Sequence, residues 1–139
     1  MDDKRLCFVD ASVLIAAARK SDAQTLARKV RARNILNDPQ REFVASEFLK
    51  LETLPIARFF RRTGELRFYS KFFDSITCWA PSGTLISAAL DLASEYGLGA
   101  LDALHICTAI HFDAQFVSAE RPTKPIYRAY SNIVSIYED

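Results

Sequence analysis

Residues 5–18, RLCFVDASVLIAAA, pass from a short apolar run into a helical pattern across a single carboxylate. Leu6, Cys7, Phe8 and Val9 are four consecutive apolar residues, too few for a helix and suited to a strand covered on both faces. From Ala11 the spacing is helical, and Asp10 or Ser12 can cap the unpaired amides of the first turn. The unit is strand, tight turn, helix, with Asp10 ending the strand.

Outward from this unit the same alternation repeats. Ser21 to Asn37 is charged and Ala-rich with Leu26, Val30 and Ile35 at helical intervals, and Asn37-Asp38-Pro39 stops it. Glu42 to Ala45 is expected as a second strand. Ser46 then opens a helix on which Phe48, Leu49, Leu51 and Glu52 should share one region of surface, with Pro55 expected to kink or break it. Arg58 to Arg67 continues as a polar-aromatic helix or connector interrupted by Gly64, and Ser75 to Ala80 is expected as a third strand, ended by Pro81-Ser82-Gly83. A helix from Thr84 to Tyr96 stops at Gly97-Leu98-Gly99. The next, Ala100 to Phe112, is apolar almost all round and should lie centrally. Gln115 to Ser118 and Ile133 to Tyr137 supply two further short strands. Such alternation predicts parallel pairing in a doubly wound α/β sandwich of about five strands. Its ligand site should lie beyond the carboxyl ends of the strands, near a switch in strand order.

Half of the 139 residues are hydrophobic, enough for one core, so a single domain over residues 1–139 is expected. The 18 Lys and Arg nearly cancel the 17 Asp and Glu, which argues against indiscriminate polyanion binding and leaves local basic patches as the handle for nucleic acid. Cys7, Cys78 and Cys107 are far apart in apolar runs; an odd count without Cys-x-x-Cys spacing disfavours a disulfide scaffold and structural zinc. The apolar run from Val13 to Ala18 is too short for a signal-peptide core or membrane span, so a cytoplasmic, membrane-free protein is expected.

The acids fall at informative places. Asp10 ends the first strand, Asp102 lies in the first turn of the most apolar helix, and Glu52 follows Leu49 and Leu51 in the helix leaving the second strand. An ionised carboxylate among hydrocarbon is costly unless paired or metal-bound. If the three converge, an oxygen-only set selects a hard cation, Mg²⁺ or Mn²⁺ rather than zinc. One or two such ions can activate water for in-line attack on a phosphodiester without a covalent enzyme intermediate. Glu47, directly after the expected cap Ser46, is better explained by first-turn electrostatics. His105 is expected as a core histidine with an internal hydrogen bond, and His111 as structural or partly exposed.

Four segments in this order, FVDASVLIAA at 8–17, ASEFLKLETL at 45–54, YGLGALDALHICTAI at 96–110 and FVSAERP at 116–122, resemble the PIN domains, whose best-populated branch is the VapC-type toxin ribonucleases. The resemblance covers nearly the whole chain. It implies a PIN-like three-layer α/β/α sandwich with a parallel sheet of about five strands. It further implies a Mg²⁺- or Mn²⁺-dependent endoribonuclease acting as the toxin of a toxin–antitoxin pair, restrained by a cognate antitoxin and forming a homodimer. Asp10, Glu52 and Asp102 take the metal-coordinating positions. Glu120 matches the fourth acid, usually an aspartate in a Thr-x-Asp motif that here is Ser118-Ala119-Glu120, one methylene longer. Ser12 and Ser118 are expected to support these acids through their hydroxyls.

Arg28 to Arg33 and Arg58 to Arg67 interleave charge with Phe59, Phe60, Phe68 and Tyr69, a composition suited to phosphate contacts and base stacking, with Arg61 and Arg62 the first candidates for RNA. Ten Phe and five Tyr exceed the needs of a small core and predict a subunit or partner interface. Two competing functions follow from the residues. One is a non-catalytic PIN-like module binding RNA or protein, motivated by Glu120. The other is a phosphotransfer domain, which needs further acids at the first strand end, whereas Asp2 and Asp3 precede the strand and are expected at its opposite end.

Overall fold

A computed structural model describes residues 4–137; Asp2 and Asp3 therefore lie outside the described residues. Five strands form one parallel sheet: β1 (Arg5–Val9), β2 (Arg41–Ala45), β3 (Cys78–Trp79), β4 (Gln115–Ser118) and β5 (Ile133–Ser135), in the order β3-β2-β1-β4-β5. The chain steps from β1 to β2 and β3 in one direction, then returns across β1 to β4 and β5. Right-handed crossovers consequently place the intervening helices on opposite faces. On one face lie α1 (Ala11–Ala18), α2 (Leu26–Leu36), α3 (Glu47–Phe59) and α4 (Thr63–Asp74). On the other lie α5 (Ser82–Tyr96), α6 (Ala100–Phe112) and the short α7 (Ile126–Ala129). This is the three-layer sandwich that the alternation predicts, with the reversal of strand order falling between β1 and β4.

The central strand explains the layering. Cys7, Phe8 and Val9 are fully buried in consecutive positions, so both faces of β1 are covered, as its unbroken apolar run requires. Helix α6, expected to be central, buries Ala103 and the run from His105 to Ala109. Among the described residues no helix is long and apolar enough to cross a membrane.

Several local expectations are corrected. Helix α3 runs through Pro55 to Phe59. A proline removes the bond to the carbonyl four residues earlier, here that of Leu51. Leu51 is 64% exposed, so water can serve that carbonyl. The helix ends at Phe59, Arg61 just beyond its C-cap Phe60 takes a left-handed φ of 54°, and Gly64 falls inside the first turn of α4, where the amides are unbonded anyway. Leu51 does not share a face with Leu49: two positions apart on a helix point in nearly opposite directions, and Leu49 is fully buried. Ser46 occupies the N-cap position of α3 but makes no side-chain cap bond. Helix α2 starts only at Leu26, because the Asp22 carboxylate accepts from the amides of Gln24 and Thr25 and closes a turn first. Strand β3 is only Cys78–Trp79, and β5 stops at Ser135.

The orientation of α3, which carries Glu52, can be checked by stability. Leu49→Ala should cost about 2–5 kcal/mol in urea unfolding, whereas Leu51→Ala should stay within about 0.5 kcal/mol. Equal costs for the two would contradict this helix orientation.

Candidate active site

Strand β1 lies beside β4 with Val9 opposite Val117. The next residues, Asp10 and Ser118, are therefore neighbours at the carboxyl end of the sheet, and the Asp10 amide donates to the Val117 carbonyl at 3.1 Å. Asp10 has extended backbone angles and caps α1, accepting from the Val13 amide at 3.4 Å. The Ser12 hydroxyl also donates to the Asp10 carboxylate. The same Ser12 oxygen accepts from the Ala119 amide at 2.9 Å and lies 3.5 Å from the Ser118 hydroxyl, which accepts from the Glu120 amide at 3.0 Å. Ser12 and Ser118 thus brace the two strand ends against each other and fix the Asp10 carboxylate.

Asp10 is only 7% exposed. Burial pushes its pKa up to about 6, against the opposing pull of the Ser12 and Ser118 hydroxyls and the His105 ring. His105 projects from α6, is 1% exposed, and packs on Phe8 with ring centres 5.3 Å apart. Its Nε2 lies 2.7 Å from Oε1 of Glu52, while its buried Nδ1 has no hydrogen-bond partner. A proton on Nδ1 would be stranded, so in the neutral ring Nε2 carries the proton and donates to Glu52. The sequence expectation of a buried, hydrogen-bonded histidine holds, but its partner is one of the candidate acids. His105 follows Asp102 by three residues on α6, which puts both on one face, but that spacing does not reveal Glu52.

Asp102 meets solvent, so the expected enclosure by hydrocarbon is too strong for it. Its carboxyl is nonetheless raised, first by partial desolvation and further by the charge of Glu52, with His105 and Lys124 opposing. Of the three acids, Glu52 is the one bonded to His105, while Asp102 lies one helical turn before it on α6. Among the described residues, no three Asp, Glu, His or Cys side chains have closed around a common point; the Glu52 carboxylate is turned onto His105. Glu120 is exposed just beyond β4, its carbonyl held by the Tyr127 and Ser135 hydroxyls at 2.8 and 2.7 Å. Burial raises the Tyr127 hydroxyl, and the charges of Asp10 and Glu120 raise it further. Lys124 and Tyr127 were missed in the sequence, although they follow the carboxyl end of a strand beside the site.

Arg61 and Arg62 sit at the α3–α4 junction. The Arg62 guanidinium lies 5.0 Å from the Phe60 ring centre and 3.7 Å from Glu65, which also binds Arg19 at 3.0 Å. Arg19 and Glu65 line a small cavity together with Glu52, so this charged chain reaches the edge of the acidic site. No such link joins Arg61 to it among the described residues.

Because burial raises the Asp10 pKa to about 6 from its ordinary value of 3.8, the folded protein holds that proton more tightly than the unfolded chain. The ionised carboxylate should then cost on the order of 3 kcal/mol above pH 6, a loss that sets in between about pH 4 and 6 and is absent below. In chelator-treated protein Asp10→Asn should accordingly raise Tm by several degrees at pH 7.5 and give little or no gain at pH 4. Scanning calorimetry at both pH values checks this; a lower Tm for the variant at pH 7.5 would show that burial does not dominate.

The family profile described as PIN domain matches residues 7–123. No curated protein matches the sequence significantly. Among solved structures, the chain superposes on one from a toxin–antitoxin complex from Klebsiella pneumoniae with a TM-score of 0.67 at 16% identity, covering 96% of this chain and 99% of that one. It superposes on PAE2754 from Pyrobaculum aerophilum with a TM-score of 0.61 at 18% identity, covering 96% and 92%. At such identities the structural likeness speaks for the fold alone. The profile match is of another kind, since it spans most of the sequence and takes in Asp10, Glu52, Asp102 and Glu120: the chain belongs to the PIN domain family.

Proposed function

We propose that this chain is a metal-dependent endoribonuclease that hydrolyses RNA phosphodiester bonds, and that it acts as the toxin of a toxin–antitoxin pair. The observation that supports the reading is His105, whose Nε2 lies 2.7 Å from Glu52 while the burial of Asp10 at the strand-order reversal raises its carboxyl.

The donor set suits a divalent cation. Asp10 and Asp102 are both raised by desolvation, and Asp102 also by the charge of Glu52, strain that a shared cation relieves. Carboxylate oxygens alone favour Mg²⁺ or Mn²⁺. Asp10, Glu52 and Asp102 would hold the ion, and Glu120 would assist a second ion or an attacking water. Such ions, when bound, polarise the phosphate and generate the nucleophile from water. The chain's own part is to fix Asp10 through Ser12 and Ser118, and to restrain Glu52 through His105. Arg62, tied through Glu65 to Arg19, would supply positive charge for RNA at the α3–α4 junction, with Arg19 the cation that lines the same cavity as Glu52; Arg61 belongs to the same exposed junction.

The Klebsiella relative in fold is described as part of a toxin–antitoxin complex, which supports an antitoxin partner here. Exposed Phe59, Phe60 and Ile56 on and beside α3, and Ile86 and Leu90 on α5, offer apolar surface for that partner and for a homodimer. Three free cysteines suit a reducing, cytoplasmic setting.

A second reading, a PIN module that binds RNA or protein without efficient hydrolysis, draws on the engagement of Glu52 by His105 and the longer side chain of Glu120. Metal binding separates the two. Millimolar Mn²⁺ should raise Tm of the parent protein, by the equivalent of about 3 kcal/mol at a hundredfold excess over Kd, and do so less for Asp102→Asn. Asp10→Asn and Asp102→Asn should each lower RNA cleavage at least about a hundredfold with unchanged circular dichroism. Undiminished metal-dependent cleavage by both variants rules out the nuclease assignment, and RNA binding with no metal-induced shift favours the module.

A further inference from the structure

Ser12 and Glu120 line a cavity of about 370 Å³, within the range of small-ligand pockets. Its walls come from α1, the α1–α2 connection, α2, the end of β4 and the segment after β5. They include Ser12, Arg19, Lys20, Arg28, Glu120 and Tyr137. We infer that this cavity binds a backbone phosphate of single-stranded RNA, one flanking the phosphate held at the acids, with Arg28 and Lys20 as its ligands. The inference rests on the nuclease reading and deepens it by naming where the substrate strand continues.

Charge is the first argument. Among the described residues three cations and one anion, Glu120, line the cavity, and although Arg19 is engaged by Glu65 at 3.0 Å, no ion pair there holds Lys20 or Arg28. Next comes the state of Arg28. Its guanidinium lies 4.2 Å from the Tyr137 ring centre, and its Nε is buried with no hydrogen-bond partner. With Nε enclosed, the terminal nitrogens are what the guanidinium can present to a ligand, and phosphate is the anion whose oxygens best accept from them. Stacking on an aromatic face holds the guanidinium plane and leaves its edge free for two parallel bonds to a phosphate.

The stacking platform is itself fixed. Arg31 donates to the carbonyls of Ile136 and Tyr137 at 2.9 and 2.8 Å, and Arg121 donates from Nε to the Tyr137 hydroxyl at 3.0 Å. Tyr137 is thus held through both its backbone and its hydroxyl, and Arg28 is positioned before any ligand arrives. Location completes the case. The cavity reaches Ser12 and Glu120, and Ser12 bonds the Asp10 carboxylate, so a strand with one phosphate at the acids has its neighbour within reach of the basic wall.

The test uses the full chain carrying Asp102→Asn, in chelator, with a fluorescein-labelled single-stranded oligoribonucleotide followed by anisotropy at several salt concentrations. Arg28→Ala and Lys20→Ala should each weaken binding roughly tenfold and lower the salt slope by about 0.7. Arg28→Lys should restore the slope but only part of the affinity. A single neutral methylphosphonate, moved along the strand, should lower affinity at one position for the parent and not at that position for Arg28→Ala. Lys20 is exposed, so its variant keeps the test valid even if Arg28→Ala destabilises the fold. Parent-like affinity and slope in both folded variants, while the wild-type chain still cleaves RNA, overturns the phosphate site alone. Absence of RNA binding by the parent, with no cleavage by the wild type, overturns the nuclease reading and the site with it.

Discussion

The alignment of β1 with β4 is the constraint on which the rest depends. These strands are joined through the whole middle of the chain, yet Val9 faces Val117 across the parallel ladder, and that register decides what stands at the carboxyl end of each. Asp10 and Ser118 follow directly, and the Ser12 oxygen joins the two strand ends by accepting from Ala119 while donating to Asp10. Because the chain leaves β1 toward β2 on one side and arrives at β4 on the other, the helices that follow diverge and leave a cleft between them. A register slip of one residue would exchange inward and outward side chains along β1, removing Phe8 from His105 as well as Asp10 from Ser118.

That register places an ionisable group where the fold alone does not favour it. Asp10 is surrounded by core, and two hydroxyls and a histidine ring offset only part of its desolvation. Asp102 and Glu52 add mutual repulsion across His105. Local rules of stability are broken together at one place, and such joint departures are expected at functional sites. His105 limits the damage: one nitrogen restrains Glu52, its ring fills space against Phe8, and its unpartnered Nδ1 settles which way the proton points.

The parts legible in the sequence were those with an unambiguous period or stop signal. The β1–Asp10–α1 unit, the limits of α6 and the span of β4 are all written in contiguous apolar runs and capping residues, and with them came two of the acids. Tertiary packing decided the parts that were not legible. Pro55 does not break α3 because its lost bond falls on the exposed face, which is set by packing against α1, α4 and α6 and not by local propensity. Leu51 was assigned to the wrong face by proximity in sequence. The short α7 carries little periodicity in four residues, and with it went Tyr127 and the neighbouring Lys124. The partner of His105 lies 53 positions away and could be supplied only by the fold.

The division of charge around Ser12 also bears on how a nearly neutral protein can handle a polyanion. Net charge of +1 gives no general attraction for RNA, and the acids at the cleft repel it. Cations held at the acids, as proposed, would reverse the sign there but would not hold a strand on either side. Positive side chains flank the acids along α1 and α2, with Arg19 adjoining both the cavity that reaches Glu52 and the one that reaches Glu120. Arg19 is tied to Glu65 and so serves both cavities as a fixed wall, leaving Lys20 and Arg28 as the groups whose charge remains to be answered from outside. On the proposed reading, attraction for RNA would come from local positive side chains beside the acids and not from net charge.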